Sequence, residues 1–477
     1  MAKEKQKFHH PKGLWLANIM IAIQSYAGYA LAGVGILFYT LPVEQGGLAM
    51  SKADAGQFIS IVGLIGSLAP LLGAWLTDKY LGMQRAILWG ILFNSIGYVF
   101  VAFSSGHVMY LYIGMAINII AGSFYKGNVT AIVGELYSKD QVSAKDAAYS
   151  LFYMAVNIGS LIGPIIGGFV YQDWFSVKDS AGKVTFYGFR EGYLMVGISL
   201  FITFVLFLLL APRWLGETAK YPVGKHKEEG KVVDHKEERK PLTKKDYNRI
   251  IAMVIIFVVA SIFWTAYFQT SASVSLMTYE LVDLNVFGYS IPVTWMTSYN
   301  GLLCIILAPL LGMYWVRKGQ QHKDWKVGSK MGLGMIFTGL GFYIFVLGLQ
   351  SLNGVVDGSV KMSLWYLLAG YTILTVGELL ISPIGMALFS KLAPEKFAAT
   401  AMSVWYLTYA VSGYASGELV AYTETLGYEK VLLYIAIVVI ALGVILLVIK
   451  GLLENLMGLE EVKAAAAKTT TEEKVEE

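Results

Sequence analysis

Long apolar stretches alternate with short polar segments along nearly the whole chain. A helix that crosses a membrane needs roughly 20 consecutive, mostly apolar residues. Twelve stretches meet this requirement, and they predict membrane helices over residues 14–41, 56–77, 84–104, 108–136, 147–171, 193–212, 250–278, 292–316, 327–350, 363–390, 398–423 and 430–455. Several exceed 25 residues, which favours tilted or bent helices. The pattern therefore predicts an all-α membrane protein with 12 transmembrane helices.

The longest polar interruption between these stretches divides the helices six against six. We predict an N-terminal six-helix bundle over residues 14–212, a cytoplasmic linker over 213–249 and a C-terminal six-helix bundle over 250–455. The ends, residues 1–13 and 456–477, are predicted to be a cytoplasmic N-terminus and a cytoplasmic tail. His226 and His235 in the linker raise the alternative of a metal site, but no further ligand converges with them, which favours a solvated segment.

Composition agrees with a membrane protein and argues against a soluble enzyme. Hydrophobic residues make up 56% of the chain and charged residues 15%, whereas a soluble protein carries about a quarter charged residues. The one cysteine, Cys304, lies in an apolar run, so neither a disulfide framework nor a thiolate metal cluster is expected. A net charge of +4 is too small to indicate nucleic acid as a partner. No nucleophile–base pair is apparent, and no cofactor is predicted.

The orientation in the membrane follows from the lysine and arginine residues between the apolar stretches. These residues concentrate in the N-terminus and in every even-numbered loop, whereas the loop between the seventh and eighth stretches contains Glu280 and Asp283 and no positive charge. Loops rich in lysine and arginine stay on the cytoplasmic side. We therefore predict a multi-pass protein of the cell membrane with both termini in the cytoplasm.

Short motifs along the chain resemble the signature of a known protein superfamily and those of one family within it. Residues 73–85, which read Gly-Ala-Trp-Leu-Thr-Asp-Lys-Tyr-Leu-Gly-Met-Gln-Arg, resemble the cytoplasmic signature of the major facilitator superfamily. Further blocks resemble the signatures of the proton-dependent oligopeptide transporters, in order along both halves: residues 124–128, 134–137, 146–147, 152–159, 298–300, 308–309, 377–378, 382–385, 391–394 and 402–407. The resemblance implies a major facilitator fold that works by alternating access, with its substrate site near mid-membrane between the halves.

The chain also departs from the family pattern. The first helix of the family normally carries a Glu-x-x-Glu-Arg motif tied to proton coupling, but residues 23–28 here contain no charge. The family arginine that follows falls near Gly33, the seventh-helix glutamate falls at Phe268, and the second-helix tyrosine falls near Ser67. Many bacterial members insert two more helices between the halves, and the linker here cannot span a membrane. The departures leave proton coupling as an expectation that needs its own test.

Two charged residues lie in the middle of predicted spans. An ionisable side chain in hydrocarbon is costly, so such a residue indicates function. Lys126 and Glu378 lie at similar depths in the fourth and tenth predicted helices, and Glu418 lies toward the outer end of the eleventh. The resemblance implies that Lys126 and Glu378 pair when the cytoplasmic mouth is shut and act in proton coupling or gating. The alternative is a static pair that holds the bundle together.

Polar and aromatic residues in both halves complete the predicted substrate site. Asn157 and Asn300, one per half, match family positions that contact peptide, and an amide group both donates and accepts hydrogen bonds, as peptide recognition requires. Helix–helix hydrogen bonding is the alternative for each of them. By the same resemblance, the pocket would be lined by aromatic residues, for which packing is the alternative: Tyr29, Tyr153, Trp264, Trp405 and Tyr406.

The function that the resemblance implies is uptake of di- and tripeptides with protons, by a chain acting as a monomer in the bilayer. One alternative keeps the fold and changes the cargo to an amino acid, a modified peptide or another small metabolite, with weak or no proton coupling. Another is a receptor that binds ligand without net flux. Its mark would be a folded cytoplasmic domain, and the linker is too polar to form one.

Overall fold

The computed structural model describes residues 10–138, 141–222, 243–321, 325–392 and 398–458. Within these ranges all twelve apolar stretches are helical, which confirms the all-α class. The helices are α1 (Lys12–Tyr29), α2 (Gly35–Thr40), α3 (Lys52–Leu76), α4 (Met83–Ala102), α5 (Val108–Glu135), α6 (Val142–Gly168), α7 (Phe189–Trp214), α8 (Lys244–Phe268), α9 (Ser273–Leu281), α10 (Trp295–Gln320), α11 (Val327–Gln350), α12 (Leu364–Leu392) and α13 (Ala398–Met457). Most of the predicted linker, residues 223–242, lies outside the described residues.

Ten helical segments in the described part of the chain are long and apolar enough to cross a membrane. They account for eleven of the twelve predicted stretches, because α13 contains both the eleventh and the twelfth, joined at Gly427 with φ of 78°. The first stretch is divided, so the expectation of one helix over residues 14–41 is corrected. α1 ends at Tyr29 and α2 begins at Gly35, with Gly33 at a φ of 77°, a conformation that glycine adopts readily.

Two small β-hairpins, which the hydrophobic pattern did not predict, lie in the loops between helices. β1 (Val177–Lys178) pairs antiparallel with β2 (Val184–Phe186) in the loop between α6 and α7. β3 (Asn285–Val286) pairs antiparallel with β4 (Tyr289–Ser290) between α9 and α10. They leave the class of the fold unchanged.

The chain divides into two compact units. The first consists of Met1–Ser51, Ile65–Gly230 and Asn285–Gly301, and the second of Lys52–Leu64, Lys231–Leu284 and Leu302–Glu477. The units differ from the predicted halves in two segments: the first half of α3 belongs to the second unit, and the start of α10 belongs to the first. Close contacts of these two segments within their units are the physical reason.

In the first unit, α1 packs against α6 through a row of glycines. Gly159, Gly163 and Gly167 are four residues apart and therefore lie on one face of α6. A Cβ atom built at Gly163 would lie 2.7 Å from the Tyr26 carbonyl oxygen, so only glycine permits this approach of the backbones. The start of α10 joins the unit because Thr294, directly before it, donates from Oγ1 to the Pro164 carbonyl oxygen at 2.8 Å.

In the second unit, α11 packs against α12 and α13, and α8 packs against α13. The first half of α3 joins this unit along α13. Gly63 and Gly413 face each other at close range, and Ser60 Oγ donates to the Tyr414 carbonyl oxygen at 2.8 Å. Small side chains on both helices therefore permit the close backbone contact that holds this part of α3.

Candidate functional site

Glu378 lies at the middle of α12, half-buried in the second unit. Its Oε2 atom accepts a hydrogen bond from Tyr267 Oη at 2.8 Å, and Cys304 Sγ lies 3.9 Å from the same oxygen. The phenol and the thiol are both neutral donors. An ionisable side chain within a membrane span is costly, which makes Glu378 a functional candidate.

Lys126, the predicted partner of Glu378, belongs to α5, but its side chain lies outside the described residues. Its neighbours in the sequence are fixed firmly. Tyr125 is fully buried and donates to the Met20 carbonyl oxygen at 2.9 Å, and Asn128 Nδ2 donates to Thr77 Oγ1 at 3.0 Å. The pairing of Lys126 with Glu378 stays a prediction.

The helix that carries Tyr267 ends immediately after it. α8 stops at Phe268, a short 3₁₀ turn follows over Gln269–Ser271, and α9 begins at Ser273. Gln269 is fully buried, and its Nε2 donates to both the carbonyl oxygen and Oγ of Ser416 at 2.9 Å. Its Oε1 accepts from Ser273 Oγ at 2.6 Å. The hydrogen bonds of the Gln269 amide therefore hold the segment between α8 and α9 against α13.

Aromatic rings surround the same end of α8. The ring centroids of Trp264 and Tyr267 are 5.4 Å apart, and the Trp264 ring lies 4.9 Å from that of Tyr409. Tyr406 continues the row at 6.1 Å from Tyr409 and is 50% exposed. Trp264 Nε1 is buried and has no hydrogen-bond partner among the described residues. Two predicted lining residues, Trp264 and Tyr406, thus belong to one aromatic cluster adjoining Glu378.

Trp405 has a different environment from its neighbour Tyr406. Its side chain is fully buried and packs against the backbone of α12 at Gly385. Adjacent residues of a helix point about 100° apart, which explains how one can be buried and the next exposed. In this conformation Trp405 presents no surface to a ligand, and its predicted role stays untested.

The two predicted asparagines both belong to the first unit. Asn157 on α6 donates from Nδ2 to the Tyr153 carbonyl oxygen at 3.0 Å. α6 and the start of α10 run antiparallel, because Thr294 bonds to Pro164 and Ser298 Oγ donates to the Leu161 carbonyl oxygen at 2.8 Å. One further helical turn in this register places Asn157 level with Asn300. The fold therefore brings both amides to the same level of one unit.

The first helix shows how the missing family motif is replaced. Tyr29 is 43% exposed at the last position of α1, directly before the break at Gly33. Gln24 belongs to residues 23–28, the stretch compared above with the family motif, and its Oε1 is buried without a hydrogen-bond partner in the described part of the chain. Residues 23–28, which contain no charge, thus lie in α1 shortly before the break at Gly33.

Two polar groupings of the second unit were missed by sequence reasoning. The first is Tyr267, whose position beside Phe268 was the available signal. The second is a cluster of Lys52, Glu280 and Tyr428. Lys52 Nζ lies 3.0 Å from Glu280 Oε1 and 2.8 Å from Tyr428 Oη. Tyr428 Oη donates to Glu280 Oε2 at 2.9 Å. No sequence signal links residues so far apart along the chain.

Known proteins share this architecture along the chain. The family model described as Major Facilitator Superfamily matches residues 14–417. The uncharacterized transporter YclF of Bacillus subtilis is 25% identical, with 95% of this chain and 96% of the relative aligned. A di-/tripeptide transporter of Lactococcus lactis subsp. cremoris is also 25% identical, over 95% of this chain and 98% of the relative. The peptide transporter YePEPT of Yersinia enterocolitica is 24% identical, over 86% and 87%.

Solved structures agree over the full length of the fold. A peptide transporter POT, a mutant in complex with alafosfalin, has a TM-score of 0.80 and 25% identity, covering 95% of this chain and 97% of that one. A POT family transporter in complex with 5-aminolevulinic acid has a TM-score of 0.80 and 24% identity, covering 94% and 98%. The major facilitator fold predicted from the sequence is confirmed.

Proposed function

Because the chain belongs to the major facilitator superfamily and, within it, to the proton-dependent oligopeptide transporter family, we propose that it takes up di- and tripeptides across the cell membrane by alternating access. The observation that carries the proposal is whole-length similarity to relatives named as di-/tripeptide transporters. We also propose that both termini are cytoplasmic and that one chain is sufficient for transport.

Proton coupling is assigned to Glu378. Its carboxylate is half-buried in a spanning helix, where a charge is costly and a bound proton removes that charge. Lys126 is proposed to pair with Glu378 in one state of the cycle and to separate from it in another, since such a pair is tolerable together and costly apart. One proton moving down 100 mV supplies about 2.3 kcal/mol, or roughly a 50-fold accumulation of neutral substrate.

Asn157 and Asn300 are proposed to contact the peptide backbone or its termini. Asn157 donates to a carbonyl of its own helix through Nδ2, which leaves its Oδ1 lone pairs for a ligand donor. Asn300 lies at the same level of the unit, so the two amides can act on one ligand. Tyr29 and Tyr406, which are 43% and 50% exposed, are proposed to supply aromatic surface. The substrate contact predicted for Trp264, whose ring is buried here, stays a prediction.

The experiment that tests this function measures uptake of labelled dialanine by proteoliposomes containing the purified protein. A proton gradient and an inside-negative potential are imposed together, separately or not at all. We expect accumulation above the external concentration only with a driving force, and loss of accumulation when a protonophore is added. Equilibration of dialanine under every condition would identify a facilitator and contradict proton coupling. Absence of dialanine entry in liposomes whose protein is folded would contradict peptide transport itself.

A second candidate function keeps the fold and changes the cargo. One similar structure contains 5-aminolevulinic acid, and this chain lacks charges at residues 23–28 and at Phe268, where the family has them. A smaller amino-acid-like substrate would then be recognised without those charges. Direct uptake distinguishes the two cases: labelled 5-aminolevulinic acid should enter the proteoliposomes more slowly than labelled dialanine if peptides are the substrate, and faster if small amino acids are.

A further inference from the structure

The hydroxyl group of Tyr267 is placed to orient Glu378. It donates at 2.8 Å to Oε2, one of the two carboxylate oxygens, in the half-buried middle of α12. Hydrogen bonds to ionised groups are stronger and more directional than those between neutral groups. A bond to one oxygen therefore favours one rotation of the carboxylate.

The Tyr267 ring has little freedom to move away from that bond. Its ring centroid lies 5.4 Å from that of Trp264 and 5.7 Å from that of Phe263. Two positions later along the chain, Gln269 donates two hydrogen bonds to Ser416. The phenol thus belongs to a rigid corner formed by the end of α8 and by α13. Any movement of α12 relative to this corner must break or lengthen the bond to Glu378.

The position of Tyr267 gives the bond its significance. The next residue is Phe268, where the family resemblance places a glutamate. In the sequence, the seventh helix lacks the family carboxylate at Phe268. In the structure, the residue before it, Tyr267, donates a hydrogen bond from its hydroxyl group to Glu378. A tyrosine hydroxyl at this place donates a hydrogen bond without adding a second carboxylate.

We propose that Tyr267 is a positioning residue for transport: its hydroxyl holds the Glu378 carboxylate in the orientation that couples it to substrate movement. This inference rests on the proposed transport function. It differs from that proposal because the Tyr267–Glu378 bond can be tested with no substrate present.

The first test uses Cys304, the chain's one cysteine, as a reporter. Its sulfur lies 3.9 Å from the oxygen that Tyr267 holds, so alkylation by N-ethylmaleimide reports the position of the carboxylate. A nearby negative charge opposes formation of the reactive thiolate, so Glu378→Gln should label at least about 3-fold faster than wild type. Tyr267→Phe should label faster too, toward the Glu378→Gln rate, because the freed carboxylate turns away.

Tyr371→Phe is the matched control for the labelling test. Tyr371 also lies on the second unit and carries a hydroxyl, but this donates to the Thr270 carbonyl oxygen at 3.2 Å instead of to Glu378. Its labelling rate should stay within about twofold of wild type, since no charge near the thiol changes. A labelling rate in Tyr267→Phe equal to or below that of wild type would overturn the inference, whatever the protein transports.

The second test separates exchange from accumulation in proteoliposomes. Tyr267→Phe should retain dialanine counterflow within about twofold but lose most proton-driven accumulation, since counterflow needs no net proton movement. In the Glu378→Gln background, adding Tyr267→Phe should change neither quantity further, because residues that act through one another are not additive. Equal losses of counterflow and accumulation, or additive losses in the double variant, would show a merely structural tyrosine. If wild type neither exchanges nor accumulates dialanine, the proposed function fails while the labelling result still decides the Tyr267–Glu378 contact.

Discussion

The Lys52 ammonium group lies 3.0 Å from the Glu280 carboxylate, although the two residues are 228 positions apart in the chain. Lys52 begins α3 and Glu280 lies in the last turn of α9, so the pair ties two helix ends of the second unit. Tyr428, directly after the Gly427 kink, bonds to both and closes a triangle of hydrogen bonds. Lys361 adds a bond to the Glu280 carbonyl oxygen. The triangle therefore joins segments of α3, α9 and α13 at one end of the second unit.

Breaking the triangle should destabilise the protein modestly. The side chains of Lys52 and Glu280 are 25% and 34% exposed, so Lys52→Met should lower stability by only about 1 kcal/mol. The charge-reversed double variant Lys52→Glu/Glu280→Lys should recover part of that loss. Thermal unfolding of the purified protein in detergent measures the effect. Lys220→Met, which removes a solvent-exposed pair with Glu217, is the control and should change stability less. Equal effects of the two lysine variants would contradict a special role for the triangle.

Removing either proposed coupling residue should abolish peptide uptake. Lys126→Ala or Glu378→Ala leaves the other charge in apolar surroundings at a cost of several kcal/mol in at least one state of the cycle. The protein should still reach the membrane, as judged by its abundance and its elution as a single species in detergent. Glu429→Ala removes an exposed carboxylate and should leave uptake unchanged. Wild-type uptake by either Lys126→Ala or Glu378→Ala would remove that residue from the mechanism.

The amides of the first unit should determine affinity for the substrate. Asn157→Ala and Asn300→Ala should each weaken peptide binding by about 1–3 kcal/mol, the cost of leaving a polar partner unsatisfied. The change should be seen in the concentration of dialanine that gives half-maximal counterflow. Asn118→Ala is the control, because its amide atoms are buried without hydrogen-bond partners in the described structure. Unchanged affinity in both Asn157→Ala and Asn300→Ala would place the peptide elsewhere.

The glycine row between α1 and α6 should tolerate no side chain. In Gly163→Ala the new methyl group would lie 2.7 Å from the Tyr26 carbonyl oxygen and 3.1 Å from the Ala30 nitrogen, so the helices must separate at a cost of about 1–3 kcal/mol. Gly122→Ala on α5 places its methyl group in open space and should be neutral or stabilising by up to about 1 kcal/mol. Unfolding temperatures in detergent compare the two. A Gly163→Ala protein as stable as wild type would mean that α1 and α6 are not held in close contact.

Part of the candidate site was predictable, because a charge inside an apolar run stands out in a sequence. Glu378 and Lys126 were selected for that reason, and Glu378 does lie in the middle of a spanning helix. The aromatic candidates were harder to separate, because a sequence does not show which way each ring faces. Trp405 is fully buried while Tyr406 is half exposed, although they are adjacent and both match the family pattern.

The sequence by itself determined the number of apolar segments, their length and the family, because burial in a bilayer requires long apolar runs and those runs are legible along the chain. The tertiary structure decided the breaks at Gly33 and at Gln269, the contact of Tyr267 with Glu378, and the triangle around Lys52. Hydropathy is averaged over many residues and does not depend on backbone angles. A helix break inside an apolar run therefore does not change the hydropathy pattern. Hydrogen bonds between distant segments form only after the helices pack, and their geometry depends on that packing.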